Sequence, residues 1–246
     1  MNPVTFDDGV GSYLPSSPSA DLRRAVERIS QALAPRTEIL YGTAISHRGD
    51  GRAGMWVGPP INSIIIDPTQ DADEQTAIDL AVATAIHECA HAAFTPPAQE
   101  QFEIIYRERV HENDRMAYDI LINVLEDERI ETMVVRRWPE WRPALKKRWD
   151  RLLSKFSVEI QEAHVFQQFG PQSLQAAAKV DYLNNMLGNR KWYQRAGTPL
   201  NADLLSTLAH LSKRKQKDLH QATPETVPRM AHDVVTFARA RVRARR

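Results

Sequence analysis

At 246 residues the chain is long enough for one large or two small domains, and its 42% hydrophobic content provides for a real core. Its 32 Lys and Arg nearly cancel 31 Asp and Glu, which excludes a global field that would recruit nucleic acid or an anionic membrane; any partner has to be argued from a site. A single cysteine, Cys89, excludes an internal disulfide framework and fits a reducing compartment.

The opening "MNPVTFDDGVGSYLPSSPSADLRR" has no basic segment followed by an apolar one, and nowhere do about 18 apolar residues run together. Neither an export signal nor a membrane span is expected, and the expected location is the cytoplasm. Residues 1–18, rich in Gly, Pro and Ser, read as an irregular arm. A helix follows, with Ser19 or Asp21 as its N-cap, an apolar stripe of Leu22, Ala25, Val26, Ile29 and Leu33, and an end near Pro35. From Glu38 to Asp67 short β-prone runs (39–45, 55–57, 64–66) alternate with Gly-rich and Pro-rich turns, which predicts a small antiparallel sheet.

Beyond Pro68 the pattern is helical, at about 73–94, 99–136, 143–169, 172–188, 202–219 and 224–243, with a turn-like "RERVHENDR" inside the second. The class is therefore α+β and predominantly helical. Residues 19–138 are expected to form the core domain, and 139–246 a helical C-terminal region packing on it. The Trp- and Pro-bearing stretches 136–149 and 190–201 read as joints between helices.

The chemistry is concentrated in "ATAIHECAHAAFTP", residues 83–96. The predicted helix 73–94, with Asp73 as N-cap, is apolar almost all the way round, which marks it as buried. Its exceptions, Thr84, His87, Glu88 and His91, stand at i, i+3, i+4 and i+7 and share a face. Two imidazoles and a carboxylate buried there lose several kcal/mol of solvation each unless something pairs with them. The spacing is H-E-x-x-H, in which two histidines one turn apart can hold one Zn²⁺ and the glutamate can serve as general base. The competing reading is a pair of core histidines with a salt-bridged glutamate.

A catalytic zinc commonly takes a third protein ligand. Phe94 and Pro97 stand where the longer H-E-x-x-H-x-x-G-x-x-H pattern has its glycine and third histidine, so another helix has to supply the ligand. Residues 114–138 are the best source, with Asp119, Asn123, Glu126, Asp127 and Glu131 among apolar neighbours. Adjacent carboxylates are turned about 100° apart on a helix, so Glu126 and Asp127 cannot both face one metal. Glu126 is the expected ligand and Asp127 the alternative, the other being free to orient His87 or His91 through its second ring nitrogen. The bland alternative is a half-exposed helix with its charges laid out for i to i+4 pairs.

The segment His87–His91 resembles the active-site helix of the zincin metallopeptidases. "NVLEDERIE", residues 123–131, is similar to the N-x-L-E-D-x-R-I-E segment that follows H-E-x-x-H in zincin-like proteins of bacteria and their phages, relatives of the cobalt-chelatase T subunit and often linked to a von Willebrand A-type domain. The likeness spans about residues 38–136 and lacks the A-type domain with its D-x-S-x-S motif. It implies a gluzincin-like fold with a glutamate-type third ligand on that helix. It also implies that "INSIIIDP" is the edge strand beside the cleft, pairing with an extended substrate.

The resulting expectation is a zinc metallopeptidase acting on a peptide or protein, with His87, His91 and Glu126 on the metal and Glu88 as base. The alternatives are a non-catalytic, metal-stabilised module serving an AAA-type ATPase or a von Willebrand A-type partner, and a DNA-associated protease. The last draws on "RPALKKRWDRLLSKF" and "ARARVRARR", which otherwise read as a solvated helix face and a ragged end. Neither nucleic acid nor membrane is an expected partner. His111 reads as part of a solvated turn and Tyr118 as a core tyrosine rather than an oxyanion donor.

Overall fold

The computed structural model of the chain describes residues 4–5, 12–45, 51–52, 54–58, 62–69, 71, 73–112, 115–148 and 223–244. Helix α1 (Ala20–Leu33) begins at Ser19, whose hydroxyl accepts from the Leu22 amide at 3.2 Å, so Ser19 rather than Asp21 is the cap. Its apolar stripe buries Leu22, Val26, Ile29 and Leu33. Helix α2 (Glu74–Phe94) begins after Asp73, whose carboxylate accepts from the Thr76 amide at 2.7 Å.

Two strands, β1 (Val4–Thr5) and β2 (Ser12–Pro15), lie inside the stretch expected to be an irregular arm. Pairing of β2 with β3 (Glu38–Ile45) supplies the order that local composition does not. The remaining strands are β4 (Gly51–Arg52), β5 (Gly54–Val57) and β6 (Ser63–Ile66), and the sheet order is β1-β2-β3-β6-β5, with β4 on β3.

The sheet is mixed rather than purely antiparallel, because β3 and β6 pair in parallel while β5 returns antiparallel to β6. Nor is β6 an edge strand: it lies between β3 and β5, and Ile64, Ile65 and Ile66 are all fully buried. An unbroken apolar run is what a strand covered on both faces requires, whereas an edge strand with one wet face alternates.

By packing the chain forms two compact units, residues Met1–Phe94 with Ile130–Asp150, and residues Thr95–Arg129 with Arg151–Arg246. In the first, one face of the sheet carries Ile64 and Ile66 against α1, against Ala81, Ala85, Ile86, Cys89 and Ala90 of α2, and against Ile130 and Val134. The many alanines of α2 let its backbone approach its neighbours closely. On the other face Ile65, Ala44 and Val57 form a smaller cluster. Cys89 sits in the main core, and burial pushes its thiol up to about 12, which keeps it protonated and unreactive.

The continuous helical pattern at 99–136 divides into α3 (Gln99–Arg109) and α4 (Arg115–Arg137), and the exposed His111 lies in the turn-like stretch between them. In the second unit α3 packs on α5 (Thr226–Ala244) through Tyr106, whose hydroxyl donates to Glu225. Tyr118, fully buried, donates to the Glu103 carbonyl at 3.1 Å, and burial raises its pKa, as a core tyrosine requires. A 3-10 turn (Pro139–Trp141) follows α4 and leads into helical residues 142–148. The predicted helices at 172–188 and 202–219, most of 143–169 and the joint at 190–201 lie outside the described residues. Among the described residues helix dominates, and no helix is long and apolar enough to cross a membrane.

Candidate metal centre

Helix α2 brings His87 and His91 together with ring centroids 4.8 Å apart and planes at 86°. Thr84, His87 and Glu88 are buried, and His91 is half-buried. Glu88 lies against β5, where glycine is required. A Cβ on Gly54 would come within 2.2 Å of Thr84 Cγ2 and 3.0 Å of Glu88 Oε1. Gly54→Ala is therefore expected to cost about 1–3 kcal/mol of stability by overpacking, measured by urea unfolding.

His87 Nδ1 lies 2.7 Å from Glu131 Oε1, and the two side chains are 4% and 2% exposed. A carboxylate only accepts, so Nδ1 donates and Nε2 carries the lone pair. That is the state in which an imidazole binds metal, with a carboxylate fixing the ring's tautomer and orientation. Arg148 Nη1 lies 3.4 Å from the same Glu131 oxygen, so this buried anion has a cation as well as a donor.

Asp127 precedes Glu131 by four residues, so the two share a face of α4. Ligand atoms of His87, His91 and Asp127 all lie within 4.8 Å of one another. This group can hold a metal ion, and two imidazoles with one carboxylate are a donor set of catalytic zinc sites.

Glu126, the expected ligand, is engaged by Thr95 and Arg129. It is buried, accepts from Thr95 Oγ1 at 2.6 Å, and is gripped from two sides by Arg129, through Nε at 2.8 Å and Nη2 at 2.5 Å. Arg129 is itself only 1% exposed, so the pair is a structural ion pair fully withdrawn from water. Asp119 is exposed and bonded to Arg107, and Asn123 is exposed.

Glu131, one acid among several in the sequence, is the residue hydrogen-bonded to His87 Nδ1. Its signal was available in the matching spacings, His87-x-x-x-His91 on one helix and Asp127-x-x-x-Glu131 on the other, each placing two groups one turn apart on a single face. Trp56 is a second residue that patterning did not single out; its ring lies beside His91. Set against protein-family models, curated proteins and solved structures, the chain matches none.

Proposed function

We propose that the chain is a zinc-dependent metallopeptidase. The observation that carries the proposal is the grouping of His87, His91 and Asp127, whose ligand atoms lie within 4.8 Å of one another, with Glu131 hydrogen-bonded to His87 Nδ1. Those three residues would hold the ion. A bound zinc supplies Lewis acidity toward a carbonyl and makes water a usable nucleophile near neutral pH. Glu88 accepts the proton of the attacking water at a carboxylate oxygen and passes it to the departing amine. Glu131 keeps the His87 proton on Nδ1 throughout.

Strand β5 ends the sheet order and carries Gly54 against Glu88. An extended peptide adding to β5 by backbone pairing would run past the metal group, so β5 takes the role that the sequence resemblance gave to β6.

The test uses the full chain loaded with Zn²⁺ and unfolded casein as the probe. Fragments are expected, and o-phenanthroline should stop their appearance, with activity returning on added zinc. A chain that holds zinc tightly and cleaves neither casein nor a mixed peptide library would instead be a metal-stabilised module, for which an AAA-type ATPase or von Willebrand A-type partner is the proposal. The DNA-associated reading draws less support, because Lys147 and Arg148 of the basic segment are turned onto Asp79 and Glu131.

A further inference from the structure

The indole of Trp56 lies parallel to the imidazole of His91, with 5° between their planes and 6.3 Å between centroids. Trp56 stands on β5, opposite Ile64 in the register, and packs against the helix-side core. His87 meets His91 edge-on from α2 itself. His91 therefore has one aromatic neighbour edge-on and another parallel to it.

Aromatic rings at this separation favour an offset stack, which constrains the plane of the partner as well as its position. His91 is half-buried and projects from the last turn of α2, and a flat neighbour against its ring narrows the side-chain rotamers that it can hold. A strand reaching across to it supplies a restraint that the helix alone does not.

We propose that Trp56 is a positioning residue of the metal centre, holding the plane of His91 so that its ligand nitrogen faces His87 and Asp127. This rests on the metal-centre reading. The indole Nε1 is buried and has no hydrogen-bond partner among the described residues, so contact of the ring, not its N–H, accounts for the placement. Trp56→Phe thus keeps an aromatic face and loses no hydrogen bond, while Trp56→Leu keeps apolar bulk and loses the face.

Val57, the next residue on β5, is buried on the opposite side of the sheet with Ala44 and Ile65. Val57→Ala loosens the same strand without touching His91.

The experiment is a Zn²⁺ titration of the full chain in competition with a chromophoric chelator, run on wild type, Trp56→Leu, Trp56→Phe and Val57→Ala beside their melting temperatures. Trp56→Leu is expected to bind zinc roughly three- to tenfold more weakly, and Trp56→Phe to stay within about twofold of wild type. Val57→Ala should melt earlier with its zinc affinity unchanged. The visible bands of bound Co²⁺ should change in the Leu variant and be preserved in the Phe variant. If Trp56→Leu does not fold, Trp56→Met serves the same comparison. Wild-type zinc affinity in the Leu or Met variant, or a Phe variant as weak as the Leu one, overturns the role of Trp56 alone. A wild-type chain that binds no zinc overturns the metal centre and this role together, so the two failures are told apart by the wild type.

Discussion

A Glu88→Gln chain is expected to bind zinc as the wild type does and to cleave its substrate about 10²–10⁴-fold more slowly, the usual contribution of a positioned general acid–base. The amide matches the carboxylate in size, so the close approach to Gly54 of β5 is preserved. What is lost is the proton acceptor, because a neutral amide has no basic oxygen near neutral pH. His87, His91 and Asp127 are untouched, and zinc measured in the same samples as kcat/KM should stay close to stoichiometric. A metal-loaded Glu88→Gln chain that turns over like wild type would sink the assignment of Glu88 as base. The melting temperature separates this from a folding effect.

Much of the first unit was legible because its signals are local. The cap at Ser19, the stripe of α1 and the polar line on α2 are each set within one or two turns of helix, where spacing alone decides which side chains meet. The strand β6 was legible as a strand but not by place. "SIII" states that both faces are buried, which argues for the interior of a sheet, yet the resemblance put it at an edge. β2 was missed because its Gly-, Pro- and Ser-rich surroundings carry no local strand signal and its order comes from β3, about thirty residues away. The choice of a third ligand turns on contacts of a similar, non-local kind. Glu126 and Asp127 are adjacent carboxylates on α4; Thr95 and Arg129 engage Glu126, while Asp127 falls in the group with His87 and His91. No spacing rule within the motif carries that information, although the Asp127–Glu131 pair one turn apart would have favoured it.

That division of labour predicts opposite phenotypes for two adjacent acids. Asp127→Ala removes a proposed ligand and should weaken zinc binding by more than about 100-fold, beyond what loss of an outer partner costs, while leaving the thermal stability of the metal-free chain close to wild type. Asp127 is only half-buried, so its removal leaves no deep cavity. Glu126→Ala should do the reverse. It strips the buried Arg129 of its bidentate partner and leaves Thr95 without its acceptor. Breaking a buried pair from one side costs about 3–5 kcal/mol, because the remaining charge stays out of water. The Glu126→Ala chain, where still folded, should therefore bind zinc at near wild-type affinity with a much lower melting temperature. Equilibrium dialysis against Zn²⁺ and thermal melts of the metal-free proteins measure the two quantities independently. If Glu126→Ala loses zinc at unchanged stability while Asp127→Ala keeps it, the metal is held by the other carboxylate, and α4 must turn by about one residue, some 100°, from the arrangement described for it.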